Sequence, residues 1–379
     1  MEIARGIGWV FTALAAGGIA YTVLAVHFLR RLVGRPEAAA ETRPTATILK
    51  PLHGAHPALE PCLETFFRQD YPAPVEIVFG VGDAADPAVG MVDRLCRRHP
   101  KAETGLVASA RRHGPNAKAS NLANMRIAAH YDLLAVSDDD IAVAPDYLGR
   151  LAAALSSPGV GAATCLYTGY AAGGFGSRLA AMGVNYHFLP NVATGLGLGL
   201  ATPCMGSTIA LKREVLDEIG GFAAVADYLA DDYEIGRRVR GLGYRIAVPP
   251  FAVRHACLEA GIGDWFGHEL RWMRTIRITD PAGHWGSIVT NPLPLALIGT
   301  VLLGFSRFSL GVLAATIAAR AVLKWRTDKS FGCSGGPVWL LPIRDVLSFG
   351  VFLASLGGKA VVWQGEALTV TGSGRLIKH

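Results

Sequence analysis

Leu133-Leu134-Ala135-Val136-Ser137-Asp138-Asp139-Asp140-Ile141 is the stretch whose reading decides the fold. Four apolar residues in a row read as a buried strand. The three carboxylates that follow repel one another, and acidic residues are depleted in strands. Such a run is tolerated where the strand ends and a divalent cation cancels the charge through oxygen ligands. The carboxyl end of a strand is also where open α/β sheets gather their ligands. The competing reading is an acidic turn ahead of a helix that starts near Pro145. On this stretch alone the two readings are level.

The flanking sequence alternates between two patterns. Thr47–Lys50, Val75–Phe79 and Leu106–Ala108 read as strands like Leu133–Val136. Leu59–Arg68, Pro87–Arg98 and Ala119–His130 read as helices between them. Alternating strands and helices imply an α/β fold with a parallel sheet covered by helices on both faces. Asp83 closes the second strand much as Asp138 closes the fourth. Beyond Gly161 the pattern loosens. Thr208–Leu211 and Tyr244–Val248 are expected as strands, and Asp231-Asp232-Tyr233-Glu234 opens a helix with acids at its positive end. Asp231 is the better placed of the two to cap that helix. Phe188–Pro203 is expected as an apolar loop. Its Gly195, Gly197 and Gly199 do not join a strand to a helix as a dinucleotide fingerprint requires.

Of the 379 residues, 51% are hydrophobic and 17% charged, with a mean hydropathy of +0.33. That composition implies membrane segments. With those, the net charge of +6 fits anionic lipid headgroups. No zinc-finger spacing, basic region or stacking signature points to nucleic acid. The six cysteines form no C-x-x-C pair and fit free thiols of a reducing compartment. Residues 7–29 are long enough to span a bilayer. Arg30, Arg31 and Arg35 follow, which orients the next domain to the cytoplasm. A cleaved signal peptide fits less well, because its basic residues precede its core. Residues 36–45 read as a linker, 45–255 as a cytoplasmic catalytic domain and 256–285 as interfacial helices. Residues 288–363 read as a membrane region with spans at Ile288–Phe305, Leu310–Leu323 and Val346–Trp363, the last shortened by Lys359. Arg320 is expected to snorkel to the cytoplasmic face.

Four sets of residues are arranged in a telling order: Asp83, Asp138–Asp140, Asp231-Asp232, and His268-Glu269-Leu270-Arg271-Trp272. Together they resemble the inverting, processive-type glycosyltransferases of family 2/21 type, with a GT-A fold. L-K-P-L-H-G (49–54), L-E-T-F-F-R-Q-D-Y-P (63–72), N-A-K-A-S-N-L (116–122) and L-A-D-D-Y-E (229–234) are similar to the ceramide glucosyltransferase branch, including its bacterial hopanoid-associated members. The resemblance covers nearly the whole chain. It implies a Rossmann-like, mostly parallel catalytic sheet framed by one membrane helix before it and about three after.

By that resemblance, the protein moves a hexose or N-acetylhexosamine from a UDP-sugar to a lipid hydroxyl, of a hopanoid polyol or a ceramide, with inversion. Asp138 and Asp140 are expected to hold Mg2+ or Mn2+ against the diphosphate, neutralising charge as the glycosidic bond breaks. Asp139 is a neighbour that modulates the substrate site. The resemblance makes Asp83 the acceptor for the uracil N–H; a turn-forming aspartate is the plainer reading. Inversion requires a base for the acceptor hydroxyl, and Asp232 matches the family's catalytic aspartate. Lys118 is a candidate for the diphosphate, and a solvated lysine at a helix start is the alternative. Arg271 and Trp272 match the Arg-Trp pair. Arginine binds diphosphate oxygens bidentately, and tryptophan offers an apolar floor. His268 stands where the family carries Gln or Arg. The helix around them, Trp265–Ile278, reads as amphipathic, with Arg271, Arg274 and Arg277 at headgroup depth. A polysaccharide synthase of the same superfamily and a non-catalytic membrane scaffold are the alternatives. The Ala- and Gly-rich composition points to a bacterial inner membrane, with the bilayer as a partner.

Overall fold

The computed structural model describes residues 2–37, 43–358, 360–363, 366–371 and 374–378. Residues 38–42 of the expected linker lie outside these, as does Lys359. The chain packs as two units. One comprises residues 35–167, 202–258 and 367–379; the other comprises 1–34, 168–201 and 259–366.

The first unit is built on strands β1 (Ala46–Pro51), β2 (Val75–Val81), β3 (Glu103–Ala108), β4 (Leu133–Ser137), β5 (Ile141–Ala142), β6 (Val160–Thr164), β7 (Leu166–Ala171, which runs out of the unit), β8 (Thr208–Lys212), β9 (Arg245–Ala247) and β10 (Ala252–Cys257). Seven of them form one sheet in the order β3-β2-β1-β4-β8-β6-β9. β3, β2, β1 and β4 are parallel neighbours. β8 runs antiparallel to both β4 and β6, and β9 is again parallel to β6. The sheet is therefore mixed and mostly parallel. The reversal at β8 was not expected from sequence.

β1 and β4 are buried along their whole length, as central parallel strands covered on both faces must be. Their cover is a core that includes Leu49, Val78, Leu122, Met125, Leu134, Val136, Ile209, Leu211 and Ile235. Each such side chain contributes about 1.5–3 kcal/mol by leaving water. The helix Ala117–Met125 lies so close that a Cβ on Gly80 would sit 2.3 Å from Met125 Sδ, and Asn121 Nδ2 donates to Gly80 O at 2.8 Å. The helix Pro87–Arg98 starts as its sequence dictates. Pro87 stands in its first turn, and Asp86 accepts from Ala88 N. β6 escapes sequence reading because V-G-A-A-T is poor in strand formers. Its Gly161 is required by the Tyr244 side chain, whose Cβ would be 2.6 Å from an added Cβ.

The second unit is mainly helical. Helix Glu2–Val33 buries Gly8, Thr12, Ala15, Gly18, Thr22, Ala25, Leu29 and Leu32 on one face. Ile3, Ile7, Trp9, Val10, Val23 and Leu24 are exposed. Small residues inside and large apolar residues outside is how membrane helices pack, because lipid accepts the large side chains and small ones let backbones approach. An added Cβ on Gly18 would meet Val289 O at 2.5 Å, and one on Gly299 would meet Thr12 Oγ1 at 2.5 Å.

Two described helices, Glu2–Val33 and Arg307–Phe331, are long and apolar enough to cross a membrane. The expected straight span Ile288–Phe305 is instead a pair, 281–290 and 292–302, bent by 61° at Asn291. Pro292 and Pro294 explain the break, since neither nitrogen can donate to a preceding turn. The last expected span also differs: its helix is Leu340–Ser355, and Ala360–Trp363 is a strand. Arg320 does not snorkel. It is 5% exposed, holds Asp345 through two bonds of 2.7 Å and donates to Tyr186 O at 2.8 Å. A carboxylate in reach satisfies the guanidinium inside the unit. The expected loop Phe188–Pro203 is largely the helix Leu189–Gly197. Its glycines answer to packing, since a Cβ on Gly197 would lie 2.0 Å from the Phe28 ring.

Candidate active site

The acid run stands in the turn between β4 and β5, at the carboxyl edge of the parallel strands. Two backbone bonds shape it. Ile141 N donates to Asp138 O at 3.3 Å, and Ala256 N of β10 donates to Asp140 O at 2.9 Å. β10 pairs antiparallel with β5, which sets His255 opposite Ile141. From there His255 Nε2 lies 3.1 Å from Asp140 Oδ2. Burial alone would lower the His255 pKa, yet the Asp140 carboxylate and Cys257 hold it well above the ordinary histidine value. Burial likewise opposes ionisation of Asp140, but His255, Lys50 and His56 outweigh it and lower its pKa.

Two lysines serve the same turn. Lys50, fully buried in β1, donates to Asp138 O and lies 4.0 Å above the Phe66 ring. Burial pulls its ammonium down to about 8 against the neighbouring aspartates. Lys118 stands in the first turn of the helix Ala117–Met125, whose cap Asn116 accepts from Ala119 N at 2.9 Å. Its Nζ is 2.5 Å from Asp138 Oδ1. Burial alone would depress its pKa, but Asp138, Asp231 and Asp232 raise it above the ordinary lysine value. It is an ion-paired lysine, and the reading as a solvated one falls away. Burial raises Asp138, while Lys118 resists. Burial and its two acidic neighbours push Asp139 up to about 7; His56 Nε2 lies 3.9 Å from it.

Asp232 arrives from another element, the first turn of the helix Asp231–Gly241. Its Oδ2 accepts from Gly206 N at 2.9 Å and its Oδ1 from Tyr233 N at 2.7 Å. Burial first, and then Asp231, push it up to about 6. Gly206, in the loop before β8, is the point of convergence. A Cβ placed on it would be 3.2 Å from Asp232 Oδ2, 3.4 Å from Lys118 Nζ and 3.7 Å from Asp138 Oδ2. Gly206→Ala is expected to lower transfer about 10-fold or more by displacing these groups, with little change in unfolding temperature. A Gly206→Ala protein as fast as the parent would show that the three groups do not act together here.

Asp231 corrects an expectation. The cap position is Ala230, with no side-chain bond, and Asp231 is the first helical residue. Its Oδ1 receives Asn116 Nδ2 at 3.3 Å. Asp83 is exposed two residues beyond β2, and its side chain accepts from Ala85 N at 2.9 Å, a turn-forming contact. The structure thus brings Asp138, Lys118 and Asp232 together, with Asp139 and Asp140 in the same turn, and leaves Asp83 at its own turn.

His268, Arg271 and Trp272 belong to the helical unit, on the helix Ile262–Thr279. His268 Nδ1 pairs with Glu259 Oε1. The Trp272 ring lies 5.5 Å from His268 and stacks on Phe188 at 5.6 Å. Arg277 donates to Leu356 O and Gly358 O at 2.5 Å each. It satisfies carbonyls just past the helix Leu340–Ser355.

Sequence reasoning missed Lys50, His56, Gly206 and His255. Lys50 had left a signal, a charge inside the apolar strand A-T-I-L-K-P. His255 and Gly206 had left none, since only folding brings them to the acids.

The residues at the acid turn fit a divalent cation. Asp138, Asp139, Asp140, Asp231 and Asp232 face Lys50, Lys118 and His255, leaving negative charge in excess. Asp140 Oδ1 is buried without a hydrogen-bond partner, which for an ionised oxygen is costly unless a ligand is met. Two carboxylates with substrate phosphate oxygens is a usual Mg2+ arrangement. A second group of possible ligand atoms, Glu76, Glu103 and His130, lies within 4.8 Å but at the amino end of β2 and β3. Glu76 there is taken up by Thr47 Oγ1, His130 N and His130 Nδ1.

Known proteins agree with this architecture. Residues 10–376 match the profile of glycosyl transferase family 21. Ceramide glucosyltransferase 1 of Caenorhabditis elegans is 23% identical over 351 residues, covering 88% of this chain and 73% of that protein. The ceramide glucosyltransferase of Komagataella phaffii is 34% identical over 114 residues, 29% of this chain and 22% of that one. Among solved structures, the mannosyltransferase PcManGT from Pyrobaculum calidifontis, in complex with GDP-Man and Mn2+, superposes with a TM-score of 0.54 at 22% identity, covering 93% of this chain and 99% of that one. That likeness is one of fold. The chain belongs to glycosyl transferase family 21 and is a glycosyltransferase related to the ceramide glucosyltransferases.

Proposed function

We propose that this protein is a membrane-bound, inverting glycosyltransferase that moves a hexose or N-acetylhexosamine from a UDP-sugar to a lipid hydroxyl. The observation that carries the proposal is the convergence of Asp232, Lys118 and Asp138 around Gly206. A base, a cation and a metal-type carboxylate at one point are what in-line sugar transfer needs. Asp232 Oδ2, with a free lone pair beside its bond from Gly206 N, takes the proton of the acceptor hydroxyl. Lys118 faces the developing charge of the leaving diphosphate. Asp138 and Asp140 are the residues that would hold Mg2+ or Mn2+, which supplies charge neutralisation at the leaving group. PcManGT was solved with Mn2+, in keeping with that assignment. His255 and Lys50 hold the acid turn in place. For Asp83 the assignment to the uracil, and for His268, Arg271 and Trp272 those to diphosphate and apolar substrate surface, rest on the family resemblance. The ceramide glucosyltransferase relatives favour a ceramide-like lipid as acceptor, the hopanoid polyol rests on the family resemblance, and the apolar helices favour a bilayer location.

The deciding experiment supplies purified protein with UDP-sugars and GDP-mannose in turn, each with ceramide and hopanoid polyol acceptors, and reads products by mass spectrometry. One sugar on a lipid supports the proposal; a polymer favours a polysaccharide synthase; no nucleotide release favours a scaffold. The same assay gives a pH test. A base must be unprotonated, so turnover is expected to fall as pH drops through about 6, where burial and Asp231 have placed Asp232. Cation binding nearby shifts that limb lower. A rate independent of pH from about 8 down to about 3, with the protein still folded, would contradict Asp232 as base.

A further inference from the structure

The segment that leads into Asp232 is held from two sides. On one side is the loop before the Lys118 helix. Asn116 N donates to Ala226 O at 2.8 Å, and Asn116 Nδ2 donates to Tyr228 O at 2.8 Å. Gly114 lets the two segments meet, since a Cβ there would lie 2.5 Å from Ala226 O. On the other side is residue 374 onward. Leu376 N donates to Asp227 O at 2.8 Å, and Leu229 N donates to Gly374 O at 3.2 Å. Tyr228 and Arg375 form an antiparallel bridge. Arg375 also lies over the Tyr228 ring at 5.5 Å, and Leu376 is 6% exposed.

These residues are one arm of a hairpin. Glu366–Val370 pairs antiparallel with Leu376–Lys378 through Leu368↔Lys378, Thr369↔Ile377 and Val370↔Leu376. Thr371 and Arg375 close the turn, with Gly374 at φ +78. No N-cap side chain of the helix itself holds the segment before Asp232. The Asp231–Gly241 helix has Ala230 as its cap, with no side-chain bond, so its first turn depends on outside contacts for its position. The hairpin supplies two backbone bonds three to five residues before Asp232.

We propose that the paired segments 368–371 and 374–378 are a positioning element for Asp232, clamping Asp227–Leu229 so that the base stays beside Gly206. It acts through that segment and not on a reacting group. The proposal rests on Asp232 being the base, and the test separates the two claims.

The parent protein in lipid nanodiscs is compared with Leu376→Asp, Leu376→Met and a variant lacking residues 368–379. Leu376→Asp sets a charge at a buried position; Leu376→Met keeps that position apolar. For Leu376→Asp and the deletion, kcat is expected to fall roughly 10- to 100-fold, while KM for the sugar donor changes by less than about twofold, because the donor residues are untouched. Leu376→Met should behave as the parent. A peptide of residues 366–379 added to the deletion variant should restore part of the rate. Unchanged kcat on deletion overturns the proposal. So does a parallel loss of kcat and donor binding with a collapsed melting transition, which is a merely structural role. Asp232→Asn in the same assay reports on the base by itself. If that variant is inactive while the hairpin variants are fully active, only the hairpin proposal fails. If it turns over normally, the base assignment fails.

Discussion

Asp232→Asn is expected to abolish sugar transfer while the protein still binds nucleotide-sugar. Removing a general base costs about 10²- to 10⁴-fold in rate. The amide is nearly isosteric, so Gly206 N keeps an acceptor at this point. Tyr233 N, which donates to the other oxygen at 2.7 Å, loses its partner, a cost of about 1–3 kcal/mol if it stays dry. A second effect works in the opposite direction. The Asp232 carboxyl titrates near 6 in the fold against an ordinary 3.8. The folded chain therefore binds a proton more tightly than the unfolded one, and this group's contribution to stability falls as pH rises from about 4 to about 6. At neutral pH the ionised form is a burden on the folded state that asparagine does not carry. The variant should thus unfold at nearly the parent's temperature, or above it, at pH 7 and lose that advantage near pH 4. Parallel measurement of turnover, donor affinity and melting at both pH values checks this. Substantial turnover would remove Asp232 from the role; a large loss of stability at pH 7 would mean the carboxylate is structural.

Asp140→Ala is expected to have the next largest effect, through metal dependence. Asp140 Oδ2 is committed to His255, but Oδ1 is buried and unpartnered. Asp140 and Asp138 would hold a divalent cation, which would supply several kcal/mol of transition-state charge stabilisation, or at least about 10²-fold in rate. The parent should lose activity to EDTA and regain it with Mn2+. Its unfolding temperature should rise with Mn2+ and UDP together, since ligands of the folded state stabilise it. The alanine variant should show neither response. It also leaves His255 without the carboxylate that helps keep its pKa high, so that histidine should titrate lower. An Asp140→Ala protein whose melting still responds to Mn2+ would move the cation elsewhere, and Glu76, Glu103 and His130 would be the next place to look.

Local pattern accounted for much of the first unit. The apolar runs at β1, β2 and β4 and the proline-started helix at Pro87 are set by short-range preferences, and their bounds lie within a few residues of those expected. β5, β6, β7 and β10 escaped, because short strands of small or mixed residues are stabilised by partners distant in sequence. In the helical unit, hydropathy located the apolar segments but not their ends. It could not show that Asp345 would take Arg320 inward, or that prolines would bend 281–302.

The sequence by itself determined the family, the alternating α/β order and the placement of an acid run at a strand's end, since these follow from residue type and spacing along the chain. Only the tertiary structure decided what those acids are. Asp138 is paired with Lys118, Asp140 is held by a histidine 115 residues away, and Asp232 reaches Gly206 across the unit. The physical reason is that charge and proton affinity depend on which groups lie within a few ångströms in a poorly solvated site, and that neighbourhood exists only after the sheet has formed.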